Sequence, residues 1–83
     1  MTRAWVVCTV TFIGAVSGKE YARGTVYTVI SDSADDENPL WRVENDAVAI
    51  FSNFSLMGRN SKFRRFDNEF LARAYAATLL EEL

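Results

Sequence analysis

Residues 59–83, RNSKFRRFDNEFLARAYAATLLEEL, join the densest basic cluster of the chain to its most regular helical pattern. Asp67 is placed to cap a first helical turn, because its carboxylate can accept an orphan N–H two or three residues on. Phe66 before it and Leu71 after it have the spacing of a hydrophobic staple. From Phe70 to Leu80 the residues are mostly good helix formers, with no Gly or Pro to stop them. The apolar residues fall on two sides: Phe70, Ala74 and Ala77 on one, and Ala72, Tyr75, Ala76, Leu79 and Leu83 on the other. Such a helix needs cover on both sides. The expectation is that one side lies on a sheet and that Leu79 and Leu83, opposite Phe70, meet a second helix or another chain.

Working outward, the 83 residues make a single domain, 1–83, whose core is only marginally able to stabilise it. Half of the residues are hydrophobic, a quarter charged, and there is one Pro, so disorder is not indicated. Cys8 is the lone cysteine, which rules out an internal disulfide framework and fits a cytoplasmic, reducing location. The absence of histidine removes the usual general base and the commonest metal ligand. Charge is segregated: residues 1–31, 32–46, 47–66 and 67–83 carry +2, −5, +4 and −3.

Residues 3–18, RAWVVCTVTFIGAVSG, have the outline of a secretory leader, with Arg3 before an apolar core and small residues near 15–17. The β-branched enrichment and the shared apolar face of Val6, Cys8, Val10 and Phe12 favour a strand instead. The run is too short to span a membrane, and no membrane association is expected. Residues 14–24 read as a hairpin connection tipped at Ser17–Gly18, leading into a second strand at 25–31 that pairs antiparallel with the first. Residues 32–38, before Pro39, form an acidic loop. Residues 40–44 give a short third strand with Trp41 and Val43 on one face. Residues 46–57 fit two patterns, a helix capped by Asp46 and ended by Gly58, or a strand after an Asn45–Asp46 turn. The helical reading is preferred because it covers the C-terminal helix. Residues 62–66 are an edge strand or an early helical turn. The expected architecture is α+β: a small antiparallel sheet of three or four strands, covered by the C-terminal helix and a second short helix.

The chemical motifs dissolve on inspection. GAVSGKE at 14–20 has the flavour of a phosphate-binding loop, but its Gly14-to-Gly18 interval is one short and Glu20 replaces the magnesium-binding hydroxyl. The acidic loop lacks the ligand alternation and the Gly of an EF-hand. Cys8 has no cationic neighbour to activate it, and the serines have no histidine. No catalysis, metal or cofactor is therefore expected. The leading expectation is a non-catalytic protein that modulates or inhibits a protein partner by surface contact, as small accessory and inhibitor proteins of phages and mobile elements do. Its candidate contacts are Asp32, Asp35, Asp36 and Glu37 of the acidic loop, with Leu79 and Leu83 of the helix, through which the chain would also self-associate. The alternative is a nucleic-acid-binding module. There Arg59, Lys62, Arg64 and Arg65 would meet phosphates while Phe63 and Phe66 stack on bases.

Overall fold

The computed structural model describes residues 1–15, 18–32, 37–58 and 60–82, with only the backbone of residues 47, 48, 54 and 57. Its centre is β1 (Thr2–Cys8), which pairs antiparallel with β4 (Val26–Ser31) on one side and with β7 (Phe63–Phe66) on the other. Next to β4 lies β5 (Leu40–Val43), and β6 (Asp46–Ser52) closes the order β6-β5-β4-β1-β7. The sheet thus has five strands, all antiparallel, rather than three or four. The preferred helical reading of residues 46–57 is corrected: 46–52 form strand β6 after a turn at Glu44–Asn45, so Asp46 opens a strand rather than capping a helix. Only a single helical turn, α1 (Asn53–Met57), follows, packed chiefly on β6 and β7 rather than over the C-terminal helix. Residues 62–66 contribute the edge strand, not a helical turn.

Register assigns the faces. Ala4, Val6 and Cys8 of β1 stand beside Val29 and Tyr27 of β4, and with Trp41, Val43, Ala49, Leu56 and Phe63 they form the main core. The sheet curls strongly around this core. Phe51 of β6 and Phe63 of β7 lie at opposite ends of the strand order, yet their rings are 5.5 Å apart. A bulge between Arg42 and Val43 adds local twist, and α1 packs against both β6 and β7. The curl brings side chains of the two edge strands together, with α1 between them, while the β6 and β7 backbones stay unpaired with each other among the described residues.

Trp41 locks this curl. Only 2 % of it is exposed, its Nε1 donates to Asn53 Oδ1 at 3.1 Å, and the Arg65 guanidinium lies 5.2 Å above its ring. The β5–β6 turn has two residues, Glu44 and Asn45, with Asn45 at φ 68°, a conformation that Asn tolerates better than most.

The chain leaves β1 earlier than the alternation suggests. Val10 is exposed, and the stretch from 9 to 25 folds over as a hairpin with its own short ladder, β2 (Phe12–Ile13) against β3 (Glu20–Tyr21). Ser17 of the anticipated tip lies outside the described residues, while Gly18 has φ +69°. Lys19 Nζ meets Asp46 Oδ2 at 2.9 Å, which ties the hairpin to the start of β6; the carboxylate holds this ammonium above its ordinary range.

The C-terminal helix α2 (Glu69–Glu81) covers the other face of the sheet. Ala72, Ala76 and Leu79 pack on Val7, with Trp5, Val26, Phe66 and Tyr75 around them. Two local expectations are corrected. The cap is Asn68, whose side chain accepts from Leu71 N, because the Asp67 carboxylate is held by Arg65 at 3.0 Å. The staple does not form: Leu71 is mostly exposed, and the Phe66 ring lies 5.4 Å from Tyr75 instead. A third correction bears on function. Leu79 is only 6 % exposed and faces the sheet, since the small side chains of Ala72 and Ala76 allow close approach on that side; Phe70, 77 % exposed, faces out. Leu83 lies outside the described residues.

Gly24 marks where α2 crosses the hairpin. Its φ is +85°, its N–H donates to Cys8 O at 2.8 Å, and a Cβ there would stand 2.7 Å from Leu80 Cδ2. Gly24→Ala is expected to cost about 1–3 kcal/mol, mostly from the left-handed backbone, because the Leu80 tip can move. A denaturant melt reads this directly.

Candidate functional site

A groove of about 420 Å³ opens where the β2–β3 hairpin, β6, α1 and the approach to β7 meet. Its floor is aromatic. Phe12 stacks on Tyr21 with centroids 5.1 Å apart and meets Phe63 edge-on at 5.5 Å. Tyr21 and Phe51 are 5.5 Å apart, again edge-on. These offset and T-shaped arrangements suit the ring quadrupoles, so the floor is fixed by mutual packing. The Tyr21 hydroxyl is shut off from solvent and has no hydrogen-bond partner among the described residues.

The rim is polar and built by short-range bonds. Ser52 Oγ accepts from Ser55 N at 3.1 Å, which satisfies an orphan donor at the start of α1. The Ser61 hydroxyl reaches the carbonyls of Ser55 at 2.7 Å and Leu56 at 2.8 Å, and it accepts from Phe63 N at 3.0 Å. That residue therefore fastens the end of α1 to the beginning of β7. Lys62 completes the rim, with its ammonium 4.6 Å from the centroid of the Phe12 ring. A cation over an aromatic face is attracted by the ring's negative face. Among the described residues, the lining includes this one cation and no carboxylate.

The basic cluster of the sequence does not converge. Alternation along β7 sends Arg64 to the α2 side, where it lies 4.7 Å from the Tyr75 ring, and Arg65 to the other side, over Trp41 and beside Asp67. Of the cluster's described members only Lys62 reaches the groove, and Arg59 lies outside the described residues. In the acidic loop Asp32 is exposed and 3.9 Å from Arg42, and Glu37 is exposed, while Asp35 and Asp36 lie outside the described residues. The groove itself was not anticipated. Phe12, Tyr21, Phe51 and Phe63 come from four different strands, and the curl of the sheet with the folded-over hairpin brings them together.

Among the described residues, no three His, Cys, Asp or Glu side chains gather to hold a metal ion. No helix of the described residues is long and apolar enough to cross a membrane. Cys8 is fully buried beneath the hairpin, with Sγ 3.0 Å from Val10 O. Burial pushes its thiol above the ordinary value of 9.0, against smaller opposing effects of the Val10 carbonyl contact and Lys62. The unfolded chain thus loses this proton at lower pH than the folded one. The corresponding stability is present below about pH 9 and falls as pH rises above it. Cys8→Ala is expected to remove that alkaline slope at the cost of a lower baseline, and thiol labelling of the folded wild type is expected to be slow. Urea melts at pH 7 to 10.5 with a timed thiol titration check both.

Compared with family models, curated proteins and solved structures, the chain has no significant match.

Proposed function

We propose that this chain is a non-catalytic binding protein of the cytoplasm that modulates or inhibits a protein partner, and that it grips the partner through the aromatic groove. The observation that carries this reading is the groove's make-up. Four packed rings form the apolar floor of a groove of about 420 Å³, ringed among the described residues by hydroxyls and one ammonium. Preformed apolar concavities with few polar groups are where binding energy concentrates, since rings bury much area at little entropic cost. The acidic loop then serves as a steering surface rather than the anchor, because Asp32 and Glu37 are solvated.

The test is a pull-down from the native host with the wild type and with Ile50→Lys, a substitution on an exposed groove residue that leaves the core alone. A protein that survives nuclease treatment and is lost with Ile50→Lys supports the reading. Retention by Ile50→Lys with loss on neutralising Asp32 and Glu37 would move the anchor to the loop. Recovery of nucleic acid, abolished by substituting Lys62, Arg64 and Arg65, would replace the reading by the nucleic-acid alternative. Self-association is a separate contact, proposed for the outer side of α2, where Phe70, Leu71 and Leu80 are exposed. Light scattering of the wild type against Phe70→Glu decides it: a concentration-dependent mass that Phe70→Glu abolishes supports it, and a monomer at high concentration removes it.

A further inference from the structure

The groove is lined by four consecutive residues of β6: Ala49, Ile50, Phe51 and Ser52. Side chains of a strand alternate between faces, so four in succession line one groove only if it runs along the strand's backbone edge. That edge is open. Strand β6 pairs with β5 and with no other strand among the described residues.

The register states which backbone groups the edge presents. Asn53 N donates to Pro39 O at 2.9 Å, which continues the pairing of Leu40 with Ser52, Trp41 with Phe51 and Arg42 with Ile50. In an antiparallel ladder, bonded and non-bonded pairs alternate. Phe51 therefore exchanges bonds with Trp41, while the Ile50 N–H and C=O and the Ser52 N–H point away from β5 toward the groove. No backbone bond between described residues uses them on that side.

We propose that the occupant of the groove is an extended, acidic peptide segment of the partner, which adds along β6 as a sixth strand; this rests on the groove reading above. Main-chain bonds to Ile50 and Ser52 hold the segment, and alternate side chains drop onto the Phe12, Phe51 and Phe63 rings. Strand addition uses these two elements together, backbone pairing for affinity and alternate pockets for specificity. Charge chooses the sequence. Lys62 sits at the rim above Phe12, and no carboxylate is among the described lining residues, so an Asp or Glu next to the apolar anchor completes the contact.

The experiment uses a display library of linear twelve-residue peptides selected on the folded wild-type chain. Recovered peptides are expected to share an apolar residue with Asp or Glu within two positions of it. One of them, resynthesised with single N-methyl groups, is expected to lose affinity at least about tenfold when alternate amides of one parity are methylated, and to keep it when the other parity is. Lys62→Ala is expected to weaken the same peptide about five- to tenfold and to flatten its salt dependence. Ile50→Pro removes one edge N–H and should weaken it too, with circular dichroism to confirm folding; the methylated peptides carry the test if that variant unfolds. Equal tolerance of methylation at both parities, or no acidic preference, overturns strand addition. So does recovery of no peptide while partner capture stays sensitive to Ile50→Lys, a result that leaves the groove reading standing. If capture too is indifferent to Ile50→Lys, the groove reading itself falls. Displacement of the selected peptide by mixed single-stranded RNA, or by an excess of the chain itself, reassigns the groove to that occupant.

Discussion

Trp41→Ala is expected to lower the unfolding free energy by about 3–5 kcal/mol, as large-to-small changes at buried aromatic positions do. Small domains are stable by only about 5–15 kcal/mol, so this variant should be largely unfolded at modest denaturant concentration. The size follows from position. Trp41 stands on β5 opposite Phe51, fills the inner side of the curl, and donates to Asn53 at the root of α1. Its removal empties a volume that strands on both sides would have to collapse into, and it leaves the Asn53 carbonyl without that donor. Trp41→Phe separates the two contributions: it keeps most of the ring volume and should cost only about 1–3 kcal/mol for the unmade bond. Asn53→Ala should fall in the same range. Urea unfolding followed by far-ultraviolet circular dichroism orders the three, and an Ala variant no weaker than the Phe variant would mean that the curl does not depend on this side chain.

The second large effect distinguishes the two sides of α2. Leu79→Ala is expected to cost about 2–5 kcal/mol by opening a cavity against Val7, whereas Phe70→Ala should change stability by less than about 0.5 kcal/mol. The contrast reverses the naive ranking by side-chain size, since the exposed Phe is the larger residue. Thermal melts of the two variants suffice. Comparable losses would mean that the outer side of the helix is covered in solution, which would also turn attention to Phe70, Leu71 and Leu80 as a contact between copies.

The difference between those two leucine and phenylalanine positions also shows what can be read from the chain before folding. The helix was legible because its residues lack breakers, and β1 and β5 because Val6, Cys8, Trp41 and Val43 alternate with partners of the opposite face. Which side of the helix faces the sheet was not legible. Apolar content points equally to both sides, and the choice is made by how closely a backbone can approach over Ala72 and Ala76, a property of the assembled pair. The cap slipped by one residue for a related reason: Asp67 and Asn68 both suit the position, and the neighbouring Arg65 engages the carboxylate.

The groove was hidden more deeply. Its four floor rings come from β2, β3, β6 and β7, separated by stretches of chain with no shared periodicity, and only the curl of the sheet makes them neighbours. The basic cluster misled for the converse reason. Arg64 and Arg65 are adjacent in sequence, and adjacency in a strand sends them to opposite faces. Once residues 63–66 are strand, a single phosphate-binding face is no longer available from them, and Lys62 is left as the cation of a different, apolar site.

The measurement that bears most directly on the groove as the binding site is an amide NMR titration of the labelled chain with the partner recovered from the native host. Perturbations concentrated at residues 12–15, 49–52 and 60–63, with the outer face of α2 unmoved, are the predicted result. Perturbations confined to residues 31–38, or to the side of α2 that carries Phe70, with residues 49–52 silent, would contradict it.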